Sequence, residues 1–208
     1  MLLVIGNKNY SSWSLRPWIA LKVFGFEFEE KRILLDTEGS KEAILRYSSA
    51  GKVPVLVDGK NSVWDSLAIL EYLAEKNRKL WPADAAERAK ARSLAAEMHS
   101  GFPQLRTHMS MNVRKRYPGR GRTPEVAAEI ERIKAIWNEA TRPFLFGPFT
   151  AADAMFAPVV LRFRTYEVEL PRAARIYYDA MLALPALQEW IAAAERESES
   201  IPQFDMYE

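Results

Sequence analysis

Residues 52–59 read Lys-Val-Pro-Val-Leu-Val-Asp-Gly, and few local structures accept that order. Pro54 has no amide hydrogen, which confines it to a strand entrance or a sheet edge. Val55, Leu56 and Val57 favour a strand, and Asp58-Gly59 is a hairpin signal ahead of a second short strand at 62–64. The residue before such a proline keeps a backbone free to pair with something else, and an extended peptide-like ligand fits that vacancy. Asp65-Ser66 then opens a helix with Leu67, Ile69, Leu70 and Leu73 on one side and its end near Arg78. Its N-terminus offers unpaired amides that favour a bound carboxylate.

Upstream, the apolar run 2–5 is closed by Gly6-Asn7, as expected of a central strand buried on both faces. From Ser14 onward Leu15, Trp18, Ile19, Leu21 and Val23 fall at helical spacing, with Pro17 tolerable in the first turn and Gly25 ending the helix. Residues 26–35 alternate apolar and charged side chains and predict a second strand, completing a βαβ unit with a right-handed crossover. A short helix is expected over 40–47. The order β-α-β-α-β-β-α within residues 1–80 is the layout of a thioredoxin-like domain, and residues 79–84 read as a linker.

Residues 85–208 carry helical periodicity alone, with helices expected over 85–116, 124–141, 150–166, 172–184 and 185–196. Thr150-Ala-Ala-Asp153 is a capping-box pattern, and Phe149 can act as its hydrophobic staple onto Ala154. The helix it starts is nearly apolar and predicts the centre of an all-helical domain, which makes Asp153 a folding element rather than a catalytic acid.

The chain has 208 residues, enough for two small domains with their own cores. Its 29 lysines and arginines nearly balance 27 aspartates and glutamates, so no overall field favours nucleic acid or an anionic membrane as partner. The basic run 114–122 has no matching basic face elsewhere and reads as a solvated tip between helices. Cysteine is absent, which excludes thiol nucleophiles and dithiol redox chemistry within the chain. His99 and His108, the two histidines, lack acidic neighbours and make a poor metal site; no metal is expected. No run approaches membrane-spanning length and no basic leader precedes the first strand, so a cytoplasmic protein is the plain expectation.

The segment Tyr10-Ser-Ser-Trp-Ser-Leu-Arg-Pro-Trp-Ile-Ala-Leu21 resembles the Ser-Ser-Cys-Ser-x-Arg-x-x-Ile-Ala-Leu start of serine-type glutathione S-transferases, especially the zeta and tau classes. Lys52-Val53-Pro54 is similar to their cis-proline segment, Asp65-Ser66 to their Glu-Ser or Gln-Ser pair, and Thr150-x-x-Asp153 to their helix-capping box. Trp13 stands where the zeta pattern has cysteine. The likeness spans essentially the whole chain and implies the glutathione transferase fold, α/β plus all-α, with a thioredoxin-like glutathione-binding domain over 1–80 and a helical domain over 85–208.

That resemblance implies glutathione as co-substrate and a role for each matching residue. Ser11 would be catalytic, its hydroxyl donating to the glutathione sulfur, with first-turn amides near Ser12 and Trp13 adding to the same field. Val53 would hold the cysteinyl backbone, Asp65 the γ-glutamyl ammonium, Ser66 the γ-glutamyl carboxylate, and Lys52 and Lys41 the glycyl end. The electrophile pocket would lie between the domains, with Tyr10 and Trp13 facing His99, Phe102, Arg106 and Met109. The implied activity is thiolate attack on a small hydrophobic or unsaturated electrophile, by a homodimer. Isomerisation of the maleylacetoacetate type and a non-catalytic binding module are the alternatives. Read from the residues alone, Ser11 is also a candidate helix cap, Asp65 an ordinary helix N-terminal acid, Lys52 a solvated loop charge, and the apolar pocket residues core or interface.

Overall fold

β1 (Leu2–Ile5) occupies an inner position in a four-stranded sheet of order β2-β1-β3-β4, with β2 Glu29–Arg32, β3 Val55–Asp58 and β4 Asn61–Val63. β1 runs parallel to β2 and antiparallel to β3, and the β3–β4 hairpin is antiparallel. The structure, a computed structural model, describes residues 1–140 and 143–207. The expected helix end at Thr141, the connector residue Arg142 and the terminal Glu208 lie outside the described residues.

Strand alternation distributes β1 between two cores. Leu3 and Ile5 join the large cluster on one side, whereas Val4 packs with Ile33, Ile44 and Val55 on the other. The hairpin turns at Gly59, whose φ of 59° is costly for any residue with a Cβ. β2 is shorter than the 26–35 reading: its four residues are all exposed and charged, a composition that protects a sheet edge from pairing with another chain. Phe26 and Phe28 leave the expected strand to pack against the main core.

α1 (Ser12–Val23) crosses between β1 and β2, α2 (Ser40–Leu45) follows β2, and α3 (Ser66–Lys76) follows the hairpin. Together these elements form the thioredoxin-like domain. The second domain is helical: α4 Ala85–Ser100, α5 Pro103–His108, α6 Pro124–Asn138, α7 Ala151–Tyr166, α8 Arg172–Leu182 and α9 Pro185–Glu195.

The single helix expected over 85–116 is broken in two. Residues preceding proline avoid the right-handed helical region, and Phe102, ahead of Pro103, sits at φ 57°. At Gly101 a Cβ would lie 2.7 Å from the Glu97 carbonyl oxygen, so the chain turns where a side chain does not fit. Beyond Met109 the backbone is irregular up to Thr123, and the basic run is no mere solvated tip. Arg114 donates to the carbonyls of Glu197 and Glu199, Arg116 to those of Val113 and Lys115, and Arg122 to that of Glu167.

α7 is buried at every position but Arg164, and α1 packs directly against it. Both arms of the Thr150/Asp153 capping box are present. The Asp153 carboxylate accepts from the Thr150 amide (2.8 Å), the Thr150 hydroxyl (2.8 Å) and the Leu145 amide (3.0 Å). One apolar cluster runs from Leu3 and Leu15 through Met98 to Phe156 and Trp190, so the two domains share a core.

Candidate functional site

The loop between β1 and α1 presents the serines, and it is held from the far end of the chain. Buried Glu197 accepts from the amides of Lys8 (2.7 Å) and Asn9 (2.9 Å) and pairs with Arg32 at 2.9 Å. Asn9 in turn donates to Asn112 and accepts from the Arg114 amide. The Tyr10 hydroxyl donates to Asp205 at 3.0 Å while accepting from Arg114 at 3.1 Å, and its ring stacks on Phe204. A phenol so engaged is not free to act on a ligand, although the ring lines the neighbouring cavity.

Ser11 stands at the N-cap position of α1 but makes no capping hydrogen bond with its side chain. Its hydroxyl lies 2.7 Å from that of Ser14, which also accepts from the Gly6 amide at 3.2 Å. The Ser12 amide donates to the Tyr10 carbonyl at 2.9 Å. The Ser12 hydroxyl accepts from Arg162 at 3.2 Å.

Two hollows meet at this loop. The larger, about 490 Å³, is lined by Tyr10, Ser11, Ser12, Trp13, Lys41, Lys52, Val53, Arg106 and Arg162, with Met111 and Phe204 across from them. The smaller, about 290 Å³, is lined by Trp13, Lys52, Val53, Pro54, Trp64, Asp65, Ser66 and His99. Trp13, Lys52 and Val53 belong to both, and two hollows of this size side by side suit a short peptide and a small organic molecule. The Val53–Pro54 peptide bond is cis. Among the described residues, the Val53 amide and carbonyl enter no backbone hydrogen bond outside the strand ladders.

Asp65 does cap α3, accepting from Leu67 at 2.9 Å and Ala68 at 3.4 Å, and its second oxygen lies 3.3 Å from His99 Nε2. The bland and the functional readings of this residue therefore coexist, because a side chain that caps a helix also faces the groove. Ser66 is buried, with Arg16 donating to its hydroxyl at 3.4 Å. Of the expected pocket residues, Arg106 joins Tyr10 at the larger hollow, whereas His99 faces the smaller one. Phe102 and Met109 lie in the hydrophobic core and line neither hollow.

Two arginines lie over the Trp13 ring, and a third, Arg162, is close enough to both to act on their charge. The Arg16 guanidinium stacks 4.1 Å from its ring centre and Arg106 lies 5.8 Å away. Burial, reinforced by the positive charges of Arg106 and Arg162, lowers Arg16 to about 9. Burial likewise lowers Arg162 to about 10, so both stay protonated at neutral pH. Neither has a carboxylate within ion-pair distance among the described residues.

Residues 10–76 match the family model for the glutathione S-transferase N-terminal domain, and residues 83–193 match the one for its C-terminal domain. The chain belongs to the glutathione S-transferase family. Two curated relatives show how the likeness is spread. A probable maleylacetoacetate isomerase of Caenorhabditis elegans is 34% identical over 100 residues, 47% of this chain and 46% of that protein. This chain thus aligns with about half the length of that relative. A zeta-class glutathione S-transferase of Euphorbia esula is 28% identical over 203 residues, 91% of this chain and 90% of that protein. Among solved structures, a glutathione transferase homolog from Burkholderia with bound glutathione superposes with a TM-score of 0.73 at 23% identity, over 94% of this chain and 98% of that one.

Within this glutathione S-transferase fold, Arg162, Asn9, Asn112 and Glu197 are site-supporting residues that sequence reading passed over. Arg162 left a signal, a guanidinium in an otherwise apolar helical run. Glu197 left none, being separated from its partners by almost the whole chain.

Proposed function

We propose that this chain is a glutathione transferase that binds glutathione across both hollows and activates its thiol for attack on a small hydrophobic or unsaturated electrophile. The observation that carries the reading is the pair of neighbouring hollows that share Trp13, Lys52 and Val53 and are lined, between them, by Ser11, Ser12, Asp65 and Ser66. In this proposal the Val53 backbone pairs with the cysteinyl unit, Asp65 takes the γ-glutamyl ammonium, Ser66 the γ-glutamyl carboxylate, and Lys41 and Lys52 the glycyl carboxylate. Ser11 lies where the sulfur would rest. The thiol proton leaves to solvent, and the sulfur forms a bond to the electrophilic carbon. A leaving group then departs with its electron pair, or the pair moves to the activating group and is protonated.

A second reading, glutathione-dependent cis-trans isomerisation of a dicarboxylic substrate, is favoured by Arg106 at the larger cavity and by the relatives named maleylacetoacetate isomerases. Steady-state conjugation of a chloronitrobenzene by wild type and Ser11→Ala tests the first. Equal rates would sink the role of Ser11. Retained conjugation with lost isomerisation in Arg106→Ala would favour the second, and calorimetry without a glutathione signal at millimolar ligand would point instead to a binding module.

The same reading divides the chain at the segment 81–84, into a glutathione-binding domain over 1–80 and a helical domain over 85–208. It also includes a detoxifying role in the cytoplasm and a homodimer. Exposed Leu45 and Trp64 on the thioredoxin-like domain support the dimer, and a monomeric mass by light scattering would count against it. Among the described residues no helix is long and apolar enough to cross a membrane.

A further inference from the structure

Arg162 is the one guanidinium that α7 buries completely, and its two terminal nitrogens both have neutral partners. Nη1 donates to the Met109 carbonyl and Nη2 to the Ser12 hydroxyl. The charged and titratable groups that face it are Arg106 on α5, Arg16 on α1 and Tyr166 one turn further along α7. Two of the three are cations. Removing an ion from water costs several kcal/mol unless an opposite charge or very good hydrogen bonds offset it, and among the described residues no carboxylate does so. Glu129 acts on Arg106, and Asp36 lines the same hollow beside Lys41 and Lys52, but neither carboxylate offsets Arg162, which therefore stands at the cavity wall with Ser12 and without an anion of its own.

The hydrogen-bond pattern shows where that anion would be received. A serine hydroxyl has one hydrogen and two lone pairs. Ser12 accepts from Arg162, so its hydrogen is turned away from the guanidinium and is not claimed by another side chain. Ser11 is different. Its hydroxyl faces that of Ser14 at 2.7 Å, and either atom can be the donor, so the Ser11 hydrogen has a competing acceptor within the protein.

We propose that Arg162 is a positioning residue for the glutathione thiolate: it holds Ser12 by its lone pair, directs the Ser12 hydrogen at the sulfur, and supplies the buried positive charge that the sulfur anion completes. Thiolate stabilisation is then shared by two neighbouring serines, of which Ser12 is the one backed by a cation. The inference rests on glutathione being the ligand of this groove.

The test is the ultraviolet absorbance of the bound thiolate, followed against pH in wild type, Ser11→Ala, Ser12→Ala, Arg162→Gln and Arg162→Lys, with glutathione affinity measured by calorimetry on each protein. Loss of the buried cation should raise the thiol titration midpoint by about one pH unit. Ser12→Ala should give a similar rise, and the double variant Ser12→Ala/Arg162→Gln no more than the larger single effect, since both act on one unit. Arg162→Lys keeps the charge and should recover part of the shift; it and Ser12→Ala carry the test if Arg162→Gln does not fold. Bound glutathione with an unmoved midpoint in these variants overturns the inference and leaves the glutathione reading standing. An unmoved midpoint with a raised KM only for carboxylate-bearing electrophiles also overturns it, by assigning the missing anion to the electrophile. Wild type that binds no glutathione removes the functional reading and this inference with it.

Discussion

The two hollows that meet at Trp13 are built on opposite electrostatic plans. On the Asp65 side, an acid and a buried serine sit at one helix start beside a free length of backbone at Val53. On the Ser11 side, Arg16 and Arg106 lie over the Trp13 ring and Arg162 is buried beside Ser12 with no carboxylate acting on it. The first is suited to a peptide that carries charges of both signs, the second to a group that becomes negative. Their construction differs as well: most of the smaller hollow comes from the single stretch 50–66, joined by Trp13 and His99, whereas the larger one is assembled from segments spread from Tyr10 to Phe204. A ligand that bridges them is sorted by charge along its length.

The contrast can be broken most severely by loosening α7, which carries Arg162. Asp153→Ala leaves the buried amides of Thr150 and Leu145 without their acceptor, and should lower unfolding free energy by about 3 kcal/mol in urea titration. Burial raises the Asp153 carboxyl from 3.8 to about 6, against the pull of its hydrogen bonds from Leu145 and Thr150. A folded value above the unfolded one means the contribution is complete below about pH 4 and is lost as pH rises through 6. Asp153→Asn should flatten that part of the stability curve, and an unchanged slope would show that the carboxyl titrates normally.

Next in size is Glu197→Ala. It frees the Lys8 and Asn9 amides and should cost about 2 kcal/mol, with loss of glutathione binding in calorimetry even where the protein remains folded. Asp65→Asn sharpens the comparison, because asparagine caps a helix as well as aspartate does. The substitution should weaken glutathione binding about tenfold, or ~1.4 kcal/mol, while the thiol titration stays put; an unaltered Kd would remove Asp65 from the ammonium role. Smallest is Phe204→Ala, at the rim of the larger hollow. An approximately threefold rise in KM for an aromatic electrophile is expected, with glutathione affinity unchanged.

Legibility followed sequence distance. Asp58-Gly59, the Pro54 strand entrance and Thr150 to Asp153 are local devices, and each forms as its own residues dictate. Asp65 and Val53 were readable for the same reason. The break at Gly101-Phe102-Pro103 has a local signal too, but the apolar periodicity that continues through it predicts one helix where the structure has two. Arg162 could be noticed as an anomaly in an apolar helix, yet its partner Ser12 is 150 positions away and nothing short of the fold joins them. Residues 26–28 show a further limit, since alternation announces a half-buried segment without saying whether it finds a strand to pair with.

Glu197 gives the molecule an order of assembly. A chain made from its N-terminus has residues 7–12 in hand early, but the carboxylate that fixes the Lys8 and Asn9 amides follows almost 190 residues later. Until that segment is made, the loop that carries Ser11 and Ser12 has its contacts to Ser14, Leu35, Asn112 and Arg114 but lacks the carboxylate that spans two successive amides.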